Sequence, residues 1–527
     1  MYKKNRVLTV FLLVFYGLMV IYPFICLCTN IESGTLAKLI ESTQFITALK
    51  NSLLVTSIST VISLTIAYVL AFTLNRTNIK HKDILAVLFT LPMLIPSVSH
   101  GIGFINLFGT NGLICDLDIF GIRGIIMGSV MYSFSTAFLM FNDVYKYIDN
   151  SLYENAKVLG LSKFETFKKV TFPHMSKSFL PALFAVFTLV FTDYGVPLAI
   201  GGNFTTLPVY LYKQVIGLLD FSSGTVIGIF LLLPAFISFV LDLFKKDHEL
   251  NDNVVNQYKI EENKTRDIIC KVLSYSIILI MTVILGSFVY MSFMNKFPSD
   301  KSLSLNHFIY LFNNDIFKYL LNALIIALFT SLLGTCIAYL AAFVSSRSEG
   351  KLKRLVHVLS IVSMSIPGIV LGLSYVLSFK GTFIYNTFVI IILCNTIHFS
   401  SSPYMMAYNA LNKINKTYED LGITYSITPI KIMFNVLIPV TRNTILEMWS
   451  YMFVNSMMTI SAVAFLYTSS TMPLQLLINR YENSLMMEET AIISLIILLI
   501  NLTIKLIVYL VQRKTNIKGI ENGQVID

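Results

Sequence analysis

Stretches of about 20 apolar residues recur from one end of the 527-residue chain to the other, and that spacing matches what a helix needs to cross a ~30 Å hydrocarbon core. They begin near Val7, Asn51, Ile84, Gly124, Phe179 and Thr225. A polar, charged segment from Lys245 to Asp267 then interrupts the pattern. Six more begin near Ile268, Tyr319, Leu352, Ile384, Thr444 and Glu489. The pattern predicts an all-α polytopic membrane protein with about twelve transmembrane helices. A barrel would need short alternating strands instead. Composition agrees: 55% of residues are hydrophobic and only 13% charged, too little charge to solvate the surface of a soluble chain this size. The apolar run from Val7 to about Cys28 exceeds the core of a signal peptide and lacks a small-residue cleavage site, so it is expected to persist as the first helix.

Basic residues sort by loop. If the N-terminus is inside, Lys3, Lys4 and Arg6, the alternate loops that follow and the tail hold about three times the Lys and Arg of the outside segments. The bias does not invert anywhere along the chain. Both termini are therefore expected in the cytoplasm, with the protein in the cell membrane. The net charge of +10 follows from this bias. No dense basic face with interleaved aromatics suggests nucleic acid as a partner. The six cysteines form no CxxC pair, and four lie in apolar stretches, as buried small hydrophobes would. No cofactor is expected.

The chain also repeats itself. Asn51 and Asn322 open the second span of each half. Pro92 and Pro96 interrupt the third span of the first half, and Pro367 that of the second. Expected boundaries are 1–244 for the first six-helix half, 245–267 for a cytoplasmic linker and 268–527 for the second half, related by a pseudo-two-fold axis along the membrane normal.

The long inside loop of each half carries matching spacings. Glu154, Gly160 and Pro173 in the first correspond to Asp420, Ser426 and Pro439 in the second: six residues from acid to Gly or Ser, thirteen more to Pro. Ser151 with Glu154, and Thr417 with Asp420, fit a capping box or its short-acid relative. Gly160 suits a left-handed helix terminus. Ser162 with Glu165 caps a second helix, and Thr428 with Pro429 opens its counterpart. Each loop reads as a rigid cytoplasmic helix–turn–helix, ended by its proline before the next span.

The run Glu154-Asn155-Ala156, Gly160, Val170-Thr171-Phe172-Pro173 resembles the EAA loop of binding-protein-dependent ABC importer permeases. The second loop departs from that pattern with Glu419-Asp420-Leu421-Gly422 and Ser426. The resemblance to fused two-domain permeases of this kind spans nearly the whole chain. It implies a type I importer pore with two cytoplasmic ATPase subunits, one on each hairpin, and an extracytoplasmic substrate-binding protein. The residues from Phe191 to Pro197, Gly201-Gly202-Asn203, Tyr212 to Gly217 and Asn455 to Val463 look like permeases assigned to 2-aminoethylphosphonate uptake. Ferric-iron permeases share the architecture and are the alternative. Asp193, Asn455 and Thr459 become candidates for the translocation pathway.

No Gly-x4-Gly-Lys-Ser/Thr occurs, so ATP hydrolysis would belong to another chain and this one would not be an enzyme. An ion-coupled secondary transporter, the rival from another class, needs ionisable groups within its spans. Asp193, His398, Glu447 and His100 are the candidates. His100 and His398 sit in neither His-x3-His nor Glu-x2-His spacing, so no metal site is expected.

Overall fold

The computed structural model describes residues 6–244, 256, 258–260, 262–348, 350–363, 366–415 and 417–521. Most of the expected linker, with Lys3, Lys4 and Lys416, lies outside the described residues. Among the described residues seven helices are long and apolar enough to cross a membrane: Arg6–Thr29, Thr43–Arg76, Ile122–Lys146, Phe221–Ser238, Lys264–Ser292, Ile316–Arg347 and Met487–Lys514. Three bent pairs add one span each if counted together: Lys82–Leu94 with Ser97–Phe108, Lys163–Ser176 with Ser178–Phe191, and Phe388–Phe399 with Ser401–Lys413. That makes ten by length and composition. The crossings expected near Leu352 and Thr444 do not reach that length as single helices. The first is divided into Lys351–Val362 and Gly368–Phe379, and the second, Arg442–Met458, has 17 residues.

Proline explains the divided third spans. Pro96 forces the preceding Ile95 out of the helical region, to φ −121° and ψ 149°, and the two pieces meet at 97°. Pro367 heads the corresponding helix Gly368–Phe379. A break inside a bilayer leaves carbonyls without partners, and each must be satisfied internally. Asn501, on the last span, donates from Nδ2 to the Leu94 carbonyl at 2.9 Å. His100 Nε2 lies 3.1 Å from the Pro92 carbonyl. In the second half His398 hydrogen-bonds the Ile366 backbone. The two histidines thus serve the broken spans, the ordinary structural role rather than a coupling one.

The halves interlock through their first spans. Tyr375 OH on Gly368–Phe379 donates to the Met19 carbonyl at 2.9 Å, and Tyr22 OH donates to the Ser378 carbonyl at 3.3 Å. The exchange is reciprocal. Lys264–Ser292 packs so closely on Ser97–Phe108 that a Cβ on Gly103 would stand 2.7 Å from Ile284. Each half therefore covers the third span of the other, and one continuous apolar core runs through both. A β-hairpin, Met294–Lys296 paired antiparallel with Asp300–Leu303, and the helix Asn306–Asn313 follow the Lys264–Ser292 span.

Candidate functional site

The first hairpin begins at helix Asn150–Val158. Its cap is not Ser151, as expected, but Asp149. One Asp149 oxygen accepts from the Ser151 N–H and hydroxyl, both at 2.9 Å. The second hairpin, Thr417–Thr424, repeats this. Asn415 Oδ1 accepts from the Thr417 N–H at 3.2 Å and its hydroxyl at 2.9 Å. Ser151 and Thr417 therefore do not cap; each instead donates its own N–H and hydroxyl to an Asp or Asn two residues earlier.

Both hairpins turn in the same way. Gly160 has φ +68° and Ser426 φ +56°, the left-handed conformation that ends a helix. The following N–H reaches five residues back in each case: Leu161 to the Ala156 carbonyl at 3.0 Å, and Ile427 to the Gly422 carbonyl at 2.7 Å. Ser162 and Glu165 form the expected capping box. Its hydrogen bonds from the Ser162 backbone N–H and hydroxyl hold the exposed Glu165 carboxyl below its usual range. Thr428 stands at the equivalent cap position with Pro429 next, but its side chain makes no cap bond.

Pro173 and Pro439 do not end the hairpins. Each lies within a helix directly after a five-residue π turn, Phe167–Thr171 or Met433–Leu437. The wider turn lets Phe172 and Ile438 donate five residues back, to Phe167 and Met433. It thereby accommodates the N–H that proline lacks; the bend comes later, between Ser176 and Ser178 in the first half and at Thr441 in the second.

Two arginines that sequence reasoning passed over tie the hairpins to the second spans. Each is the last residue of its half's second span, and Arg76 follows Asn51 by the same 25 positions as Arg347 follows Asn322. The Arg76 guanidinium lies 5.2 Å from the Tyr153 ring and donates to its hydroxyl at 3.3 Å. The rings of Tyr145 and Tyr258 close around it at 5.1 and 3.7 Å. In the second half Glu419 stands where Tyr153 stands in the first. Arg347 Nη1 pairs with Glu419 Oε1 at 3.2 Å, with side chains only 2% and 12% exposed. Arg347 Nη2 also donates to the Leu411 and Ile414 carbonyls. Glu419 is thus turned inward against the end of the second span rather than outward. At the other end of the same spans, Asn51 donates to the Thr205 carbonyl, and Asn322 to the Ser470 and Met472 carbonyls. The signal in the sequence was the repeated register, read for Asn but not for Arg.

Glu154, Asn155 and Gly160 of the first hairpin are exposed and Ala156 is buried, as are Gly422 and Glu419 of the second, where Asp420 and Ser426 are exposed. Glu154 accepts from Asn150 Nδ2 at 2.8 Å and lies 3.6 Å from Lys259 Nζ. The described part of the expected linker lies along this hairpin. Asn256 donates to the Ser151 hydroxyl, and Lys259 N–H to Asn150 Oδ1. Each hairpin also presents large apolar side chains outward. Leu159 is 75% exposed and Phe164 73%; the matching residues Tyr425 and Ile430 are 73% and 49% exposed.

Each candidate pathway residue is engaged by backbone groups of its own surroundings. Asp193 uses both carboxylate oxygens to cap the helix Gly195–Ile200, accepting from the Gly195 and Val196 N–H groups at 3.3 and 3.0 Å. Asn455 donates to the Tyr451 carbonyl of its own helix. Thr459 ends that helix, and its carbonyl accepts from Gln475 Nε2. Glu447 accepts from Gln512 Nε2. Nearby, a cavity of about 370 Å³ opens between the halves, lined by Tyr194 and Tyr212 from the first and by Tyr319, Tyr467, Asn479 and Arg480 from the second.

A family model described as "Binding-protein-dependent transport system inner membrane component" matches the chain twice, over residues 59–246 and 334–517. The chain is 23% identical over 91% of its length to 74% of the ferric transport system permease protein FbpB of Actinobacillus pleuropneumoniae. It is 22% identical over 88% of its length to 78% of a ferric transport system permease of Haemophilus influenzae. It is 23% identical over 66% of its length to 66% of the thiamine transport system permease protein ThiP of the same species.

Proposed function

The chain belongs to the binding-protein-dependent transport system inner membrane components, and on that premise we propose that it forms the pore of a ferric-iron importer driven through its two hairpins. It is a multi-pass permease of an ABC importer, a pore subunit and not an enzyme, and its family works with an ATPase and a substrate-binding protein. One ATPase subunit docks on each hairpin, by the exposed apolar pairs Leu159 with Phe164 and Tyr425 with Ile430. ATP-driven closure of those subunits moves the hairpins. Arg76 and Arg347 pass the motion to the second spans, and the halves rock between inward- and outward-open states. The halves are bounded at 1–244 and 268–527, with the linker between them on the cytoplasmic side.

Ferric iron is favoured over the organophosphonate suggested by the motifs around Asp193 and Thr459. The observation that carries this is the similarity, over about nine-tenths of the chain, to two relatives named for ferric transport. The structure also weakens the phosphonate argument, because the Asp193 carboxylate expected to meet the substrate amine is committed to backbone N–H groups. The cavity between the halves is lined by four tyrosines, with Arg480 suited to an anionic co-ligand. Deleting the gene should reduce uptake of radiolabelled ferric iron to background and leave growth on 2-aminoethylphosphonate as sole phosphorus source intact. Lost phosphonate growth with normal iron uptake would reverse the assignment.

Both termini and the hairpins are cytoplasmic in this reading. In a cysteine-free background, cysteines at Asn203 and Ser299 should react with an impermeant reagent from outside. A cysteine at Asn256 should react only after the membrane is opened, as should one at Asn253, which lies outside the described residues. The opposite pattern would invert the topology and remove the hairpins from reach of an ATPase.

A further inference from the structure

We propose that His307, Glu488 and Glu489 form a binding site for a divalent transition-metal ion of the zinc type on the outer face of the second half. The expectation of no metal site considered only His100 and His398. His307 and Glu489 are 182 positions apart, so no local spacing could have joined them. His307 lies on the helix Asn306–Asn313, and the two glutamates open the last span. One ligand atom from each of the three residues lies within 4.8 Å of the others.

Three features distinguish this cluster from an ordinary acidic helix start. The first is charge. Glu488 and Glu489 are 4% and 2% exposed, and among the described residues no Lys or Arg pairs with either. Even with His307 protonated, two buried carboxylates face one positive group, an excess that burial makes costly. The second is an orphan acceptor: Glu489 Oε2 is buried and has no hydrogen-bond partner among the described residues, while Oε1 faces His307 Nδ1 at 2.8 Å. The third is the orientation of the imidazole. His307 Nε2 donates to the Asn295 carbonyl at 2.8 Å, so Nδ1 is the nitrogen turned to the carboxylates; it donates its proton to Glu489 Oε1, and a bound ion would take that proton's place. A backbone carbonyl behind the ring is the usual outer partner of a metal-ligating histidine. Glu488 is held in place by the Phe297 N–H.

One imidazole and two carboxylates are a ligand set that zinc takes at about 2.0–2.2 Å, with a fourth position left for water. Bound there, the ion would fasten the β-hairpin Met294–Leu303 and the helix Asn306–Asn313 to the start of the last span. It would act as a clasp of the outer face, distinct from the cavity between the halves and from the transported ion.

The test uses the full chain, without a polyhistidine tag, stripped with chelator and reconstituted in nanodiscs. Equilibrium dialysis against buffered Zn2+ should give one tightly held zinc per chain. X-ray absorption should show nitrogen and oxygen ligands with an imidazole signature. His307→Ala and Glu489→Gln should each lose that zinc. Glu488→Gln, which keeps an acceptor for Phe297, should weaken it at least ~10-fold. Zinc should also raise the melting temperature of the wild-type chain and not of His307→Ala. Binding unchanged in the variants, no zinc held by the wild type, or Fe3+ held where Zn2+ is not would each overturn the proposal. Because the readouts are stoichiometry and ligand spectroscopy, they are independent of whether ferric iron is the transported solute.

Discussion

Arg347→Met should nearly abolish transport and lower the yield of folded protein more than any other single change in the hairpins. The guanidinium is almost fully buried, pairs with Glu419 at 3.2 Å and donates to two carbonyls at the end of the preceding helix. Removing one partner of a buried pair costs about 3–5 kcal/mol, because the remaining charge stays in a poorly solvated place. Glu419→Gln keeps the shape and one acceptor and should cost less. The double change Arg347→Met with Glu419→Leu should recover much of the stability and little of the ATP-coupled uptake, since the ligature between hairpin and span is still absent. Thermal unfolding of the purified chain and uptake by the assembled transporter separate the two effects. In the first half Arg76→Met should be milder, because Arg76 sits among neutral aromatic rings and strands no buried acid when removed. Equal damage from Arg76→Met and Arg347→Met would contradict this account.

The second large effect is an asymmetry at the turns. Gly160→Val should impair complex assembly and transport far more than Ser426→Val. At Gly160 a Cβ would meet nothing within 4 Å, so packing is not the obstacle. The obstacle is φ +68°, where an L-residue incurs roughly 1–2 kcal/mol and a β-branched one more. At position 426 the wild-type chain already bears that cost in serine, so valine adds only the increment for branching. Gly160→Asn should be tolerated, since Asn adopts this conformation readily. Glu154→Ala should likewise exceed Asp420→Ala, for Glu154 holds Asn150 and stands near Lys259; as a half-exposed contact it is worth no more than about 1 kcal/mol. Cross-linking each hairpin to the ATPase at matched protein levels distinguishes weakened docking from failed folding. Equal losses from the two valine substitutions would refute the asymmetry and leave the family assignment intact.

The hairpins were legible because their signals are local. A cap, a left-handed turn and a capping box depend on residues within a few positions of each other, and Gly160, Ser426, Ser162 and Glu165 stand as that chemistry requires. Even there the first cap was misplaced by two residues, because Ser151 gives its own N–H and hydroxyl to Asp149, as Thr417 does to Asn415. The prolines were misread for a related reason. Pro173 and Pro439 look like helix stops in a sequence, but a π turn upstream absorbs the missing donor, and nothing local announces a π turn.

By itself the sequence determined the class of fold, the repeat and the position of the hairpins. Apolar length, basic loops and turn chemistry act through the solvent and the nearest few residues, so they operate before any tertiary contact forms. Only the tertiary structure decided what each polar residue inside the apolar core does. Asp193 caps a helix, and His100, His398 and Asn501 serve carbonyls freed by prolines. Glu419 turns inward to Arg347, and His307 meets Glu489 across 182 positions. In a medium without water a buried polar group must find a partner wherever the fold brings one. That pairing is a property of packed helices, which no window along the chain contains.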